Sequence, residues 1–140
     1  MAQGEWELAV STVAFLAVKF AGYWAAAVFL NQRYRPIAPA MPPIFALCRM
    51  LIGFGVSGGT YYLLAFNDIA GLAPAYLLLA PTRLLEWLFV LWLFYERRDQ
   101  AVKVSRLAKY AVAGTIWSYV LDLPAFIFST SIPGGFTSFC

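Results

Sequence analysis

Ala80–Arg98, APTRLLEWLFVLWLFYERR, decides the fold class of this 140-residue chain. It begins beside a proline, sets Arg83 and Glu86 three residues apart in apolar sequence, then runs from Trp87 to Tyr95 without a charge. Glu96, Arg97 and Arg98 end it. A run of this length and composition reads as a membrane-spanning helix with two ionisable groups inside the bilayer, where charges are rare and expensive. The rest of the chain is expected to supply partners for those two charges.

Composition points the same way. Hydrophobic residues make up 62% of the chain and charged residues only 12%, about half of the ~25% that a soluble domain uses to cover its surface. The formal charge of +3 would suggest nucleic acid in a soluble protein. Here Lys and Arg cluster between apolar runs, so basic loops at a membrane surface are the expected reading and nucleic acid is not an expected partner. The N-terminal MAQGEWELAV carries acids and no basic segment, unlike a cleaved signal peptide, so the first apolar run is expected to be retained. There is no histidine, and Cys48 and Cys140 are the only cysteines. No metal site and no cofactor is expected from that inventory, and histidine-ligated haem and histidine proton relays are excluded.

Outward from Ala80–Arg98, three more spans are predicted, giving an all-α polytopic bundle in a single transmembrane domain with spans at about 6–30, 44–66, 75–96 and 107–129. Residues 31–43, NQRYRPIAPAMPP, break the first pair with four prolines. In span one Ala17, Ala21 and Ala25 recur every four residues, a small-residue ridge that lets another helix approach. Span two carries Gly53, Gly55, Gly58 and Gly59, and close packing is expected at Gly53, Gly55 and Gly59. Its GxGxxGG pattern is no phosphate loop, because no strand precedes it. In span four Gly114, Ser118 and Asp122 form a small, polar stripe; Arg49, Gly53, Ser57 and Tyr61 form a similar one in span two. Superposing the chain on itself with a 64-residue offset aligns Lys19 with Arg83 and Arg33 with Arg97, a weak echo of a parallel repeat.

Lys and Arg counts set the orientation. Arg33 and Arg35 lie in the first loop, Arg97, Arg98, Lys103 and Arg106 in the third, and the other loop and both tails have none. The positive-inside rule then places loops 31–43 and 96–106 in the cytosol and both termini outside. Arg33, Arg35, Arg49, Arg97 and Arg98 are the expected contacts to inner-surface lipid headgroups, with Arg49 snorkelling from span two.

At 1.5 Å rise per residue, Lys19 and Glu86 fall near the bilayer midplane, and Arg83 and Asp122 both fall roughly 10 Å from the outer surface. Depth therefore pairs Lys19 with Glu86 and Arg83 with Asp122, a balanced network. Starting span three at Pro81 instead leaves Arg83 at the outer interface and Glu86 within the span. Catalysis is not expected, since the Ser and Thr residues are scattered with no histidine to serve as base and Glu86 and Asp122 need not share a cavity. Loops too short for an extramembrane domain, missing cofactor ligands and broad aromatic faces lead to an expected role as a non-catalytic subunit. Such a subunit would scaffold a larger membrane complex through helix and lipid contacts, with other subunits, further copies and the bilayer as partners. A small oligomeric transporter or channel using Lys19, Arg83, Glu86 and Asp122 is the alternative.

Overall fold

A computed structural model describes residues 2–34, 39–66, 79–97 and 104–131. Among the described residues the chain is all-helical, with no strand. Helix α1 (Ala2–Tyr34) is followed by α2 (Pro42–Ile52), a π-helical stretch (Gly53–Gly58) and α3 (Gly59–Phe66), which together form one continuous helical rod. Then come α4 (Ala80–Leu91), ending in a second π-helical stretch (Trp92–Glu96), and α5 (Val104–Ser131). Residues 67–78, which include the second loop and the start of the predicted third span, lie outside the described residues, as do 98–103 and the tail with Cys140.

Local chemistry sets the boundaries. Pro42 and Pro43 occupy the first turn of α2, where a missing N–H costs nothing, and Pro81 does the same for α4. Between α1 and α2 the Asn31 side chain holds the returning chain in both directions. Its Nδ2 donates to the Ala40 carbonyl at 2.8 Å, and its Oδ1 accepts from the Ala40 N–H at 3.1 Å. The Tyr95 hydroxyl donates to the same Oδ1, tying α4's end to this turn.

The four rods close into a ring in which α1 packs on α2 and α5, and α4 packs on α5 and α2. Neighbours run antiparallel: Lys19, Tyr23 and Tyr34 of α1 meet Asp122, Ser118 and Tyr110 of α5. Trp87 is at the centre, 1% exposed, with Tyr23 packed edge-to-face and Phe45 tilted against its ring. Gly114 lies under the Trp87 indole, where any Cβ would collide with the ring, and Gly22 gives the same room to Leu121. The remaining core comprises Ala27, Leu30, Tyr34, Ala40, Ala46, Val90, Leu91, Tyr95 and Ala111.

Two groups of small residues expected at helix contacts do not pack on a neighbouring helix of this chain. Ala17, Ala21 and Ala25 are exposed and point out of the bundle. The face of α1 that turns inward carries Phe15, Lys19, Gly22, Tyr23, Ala27, Leu30 and Tyr34. At roughly 100° per residue Ala17 is about 200° round the helix from Lys19, so an inward lysine sends the alanine ridge outward. In the second rod Gly55 and Gly59 face open space, and Gly53 meets only the Arg49 guanidinium. Gly53 and Gly55 lie within the π-helical stretch and Gly59 directly follows it.

One helical stretch among the described residues, Ala9–Tyr34, is long and apolar enough to cross a membrane; Pro42–Gly58 is apolar but shorter.

Candidate functional site

Ionisable side chains come together inside the ring in layers. In the first, Asp122 of α5 is gripped from two helices: Lys19 Nζ of α1 sits 2.8 Å from Oδ1, and the Arg83 guanidinium of α4 donates to Oδ2. Each cation also lies over an aromatic face, Lys19 on Phe15 and Arg83 on Tyr119. All three charged groups are at most 5% exposed. One carboxylate thus ties together α1, α4 and α5.

The second layer is a turn further along α4. Glu86 accepts a hydrogen bond from Ser57 Oγ at 2.7 Å, and its Oε2 lies 2.8 Å from Arg49 Nη1. The Arg49 guanidinium is stacked between the rings of Tyr23 and Trp87, at 5.2 and 5.1 Å. Its planar, weakly hydrated cation suits such a slot better than a lysine would. Ser118 Oγ joins this layer from α5, accepting from Trp87 Nε1 at 2.9 Å and from Arg49 Nη2 at 3.4 Å. Neither of those nitrogens can accept, so the serine proton is left for the Tyr23 hydroxyl 3.3 Å away. Ser118 is the point at which all four rods share one polar atom.

A third layer closes the opposite end. Glu96 is fully buried and takes both Nε and Nη2 of Arg106 on its Oε1, each at 3.1 Å. Arg106 also lies over the Tyr34 ring, which stacks in turn with Tyr95 and Tyr110. Read in sequence, Glu96 is a stop signal. It is buried because α5 returns across it carrying Arg106.

The structure therefore buries Lys19, Arg83, Glu86 and Asp122, joins Lys19, Arg83 and Asp122 in one cluster, and gives Arg83 its expected partner. Placing α4's start at Ala80 does not put Arg83 at an interface, since the side chain is 3% exposed and ion-paired. The expected Lys19–Glu86 pair is not formed: Lys19 goes to Asp122, and Glu86 goes to Arg49. Depth is one coordinate of three, and Glu86 faces α2 rather than α1. Arg49 is correspondingly no headgroup contact, being 2% exposed and two turns into its helix. Its signal was in the four-residue stripe Arg49, Gly53, Ser57: the first and third both reach Glu86, and the bare Gly53 makes room for the guanidinium. The core is also not balanced as counted from sequence. Among the described residues of the first two layers, Lys19, Arg49 and Arg83 share two carboxylates.

Of the other named residues, Gly114 and Ser118 face inward, whereas Arg33 and Arg97 are exposed. Arg35, Arg98 and Lys103, and the side chain of Tyr61, lie outside the described residues. Cys48 is a half-buried free thiol. Among the described residues no three Asp, Glu, Cys or His side chains come together as a metal site would need.

Chemically the arrangement is a set of clamps. Each carboxylate is held by at least one cation, and its partner comes from a different helix. Breaking one buried pair by deleting a single member leaves a charge uncompensated, at about 3–5 kcal/mol. Compared with protein-family models, curated proteins and solved structures, the chain matches none.

Proposed function

We propose that the chain is an integral membrane subunit that crosses the bilayer four times, clamped by its ionic layers into a rigid block, and that it scaffolds a larger membrane complex. One observation carries this reading: the polarity is inverted. Lys19, Arg49, Arg83, Glu86 and Asp122 are each at most 5% exposed, while Leu85, Ile116 and Leu63 are 60% exposed or more. In water that surface would aggregate; in lipid it is the required outside, and the charges take the required inside. Loops 31–43 and 96–106 lie in the cytosol in this reading and the termini opposite. Ala17 and Ala21, exposed on α1 away from the core, suit a helix of another subunit. The role is non-catalytic, since the layers hold ion pairs rather than an activated nucleophile.

Extraction of the full chain in mild detergent tests this. A particle containing larger, unrelated subunits is expected, and a clean homodimer or homotetramer would count against scaffolding. One observation favours a second reading, transport of a proton, ion or small solute along the ionic layers. Ser57, which donates to Glu86, lies in a π-helical stretch, a feature frequent at functional sites. Loss of a flux in a Glu86→Gln variant that still assembles normally would select it.

A further inference from the structure

Between α1 and α5, beyond the Tyr23–Ser118 contact, the two helices part and leave an open groove of about 400 Å³. Ala25, Ala26 and Phe29 form one wall, Ala113 and Trp117 the other, and Gly114 lies in its floor. The volume is in the ~300–1,000 Å³ range of ligand clefts, and the lining is almost wholly apolar. Small residues make the gap; the Phe29 and Trp117 rings fence it.

What covers it is indicated by the charges at one end. Continuing the wall of α1 from Phe29 by four residues reaches Arg33, which is exposed and lies against the Phe29 ring at 5.3 Å. Continuing the wall of α5 back from Ala113 by four residues reaches Lys109, also exposed. The antiparallel register that sets Tyr34 against Tyr110 brings these two cations to the same level, at the end assigned to the cytosol. An apolar slot running along the helices, with two exposed cations continuing its walls at one end, has the complementarity of one molecule: an acyl chain bearing an anionic headgroup.

We infer that this groove binds an anionic phospholipid, with one acyl chain between α1 and α5 and its phosphate at Arg33 and Lys109. The inference rests on the membrane-spanning part of the proposed function and adds a specific lipid site to it. The test uses the full chain in nanodiscs of mixed phosphatidylglycerol and phosphatidylcholine, followed by release into mild detergent and native mass spectrometry of retained lipid. Retention of phosphatidylglycerol over phosphatidylcholine is expected. The exposed-site variant Arg33→Gln/Lys109→Gln should lower that retention about tenfold or more, on the scale of two cations at a lipid surface. Ala113→Phe, which fills the slot and leaves both cations, should lower retention of either lipid while helicity is kept. Unchanged phosphatidylglycerol retention in Arg33→Gln/Lys109→Gln, or unchanged lipid in Ala113→Phe, overturns the inference. So does a change of oligomer mass on Ala113→Phe without a change in lipid, which would make a second copy the occupant. A chain that does not enter the nanodisc defeats the membrane reading itself; one that enters and holds no phosphatidylglycerol defeats only this site.

Discussion

Removing the Arg49 cation separates the two ways of pairing the core. Arg49→Met keeps an unbranched apolar stem that ends about where Nε stands, and strips Glu86 of its cation while leaving the hydrogen bond from Ser57. Two unit charges at ~4 Å attract by ~4 kcal/mol at an effective dielectric of ~20, and losing one member of a buried pair costs about 3–5 kcal/mol. Glu86→Gln alone strands Arg49 in the same way, although its hydrogen bond from Ser57 survives. In Arg49→Met/Glu86→Gln no buried charge is stranded, so the double variant should lose clearly less than the sum of the singles, by about 2–3 kcal/mol or more. Unfolding by denaturing detergent, read from tryptophan fluorescence, measures all four members of the cycle. The companion cycle of Lys19→Met with Glu86→Gln should be close to additive, since Lys19 is bound to Asp122. Coupling in the Lys19–Glu86 cycle and additivity in the Arg49–Glu86 cycle would refute the pairing described above.

Three further outcomes follow from the packing. Gly114→Val drives two methyls into the Trp87 indole and should destabilise by about 1–3 kcal/mol in the same unfolding assay, whereas Gly55→Ala and Gly59→Ala, facing open space, should be neutral or slightly stabilising. Ser118→Ala leaves the Trp87 N–H and one Arg49 N–H without their acceptor and should cost about 1–3 kcal/mol, with a shift in Trp87 emission. Ala21→Leu thickens the exposed ridge; it should leave unfolding of the isolated chain unchanged but reduce recovery of partner subunits when the complex is purified.

Much of this architecture is legible in the residues. Prolines at 36, 39, 42 and 43 punctuate the helices, and the spacing of charged residues through apolar runs locates Lys19, Arg83, Glu86 and Asp122 in the interior. Rise per residue is enough to match Arg83 to Asp122 because they meet on adjacent helices. It fails for Glu86 because depth says nothing of which way a side chain points, and the nearest cation in depth is not the nearest across the bundle. The same missing angle explains the alanine ridge: Lys19 and Ala17 could not both face inward, and the cost of a charge in an apolar environment decides for the lysine. Arg49 was hidden by its own length, since a side chain able to snorkel outward is equally able to reach in. The glycines at 55 and 59 mislead for another reason: a pair at four-residue spacing permits close approach without requiring it, and both face open space here. The groove leaves no mark at all in sequence, because it is space between two helices rather than a property of either.

The central claim is the inverted polarity of the bundle, and spin-label accessibility tests it most directly. Single labels at Leu85 and Ile116, both more than half exposed, would be introduced in a Cys48→Ser/Cys140→Ser background and reconstituted into vesicles. Both labels should relax strongly with oxygen dissolved in the bilayer and weakly with a water-soluble nickel chelate. Strong relaxation by the chelate at both positions would put these faces in water and contradict the account.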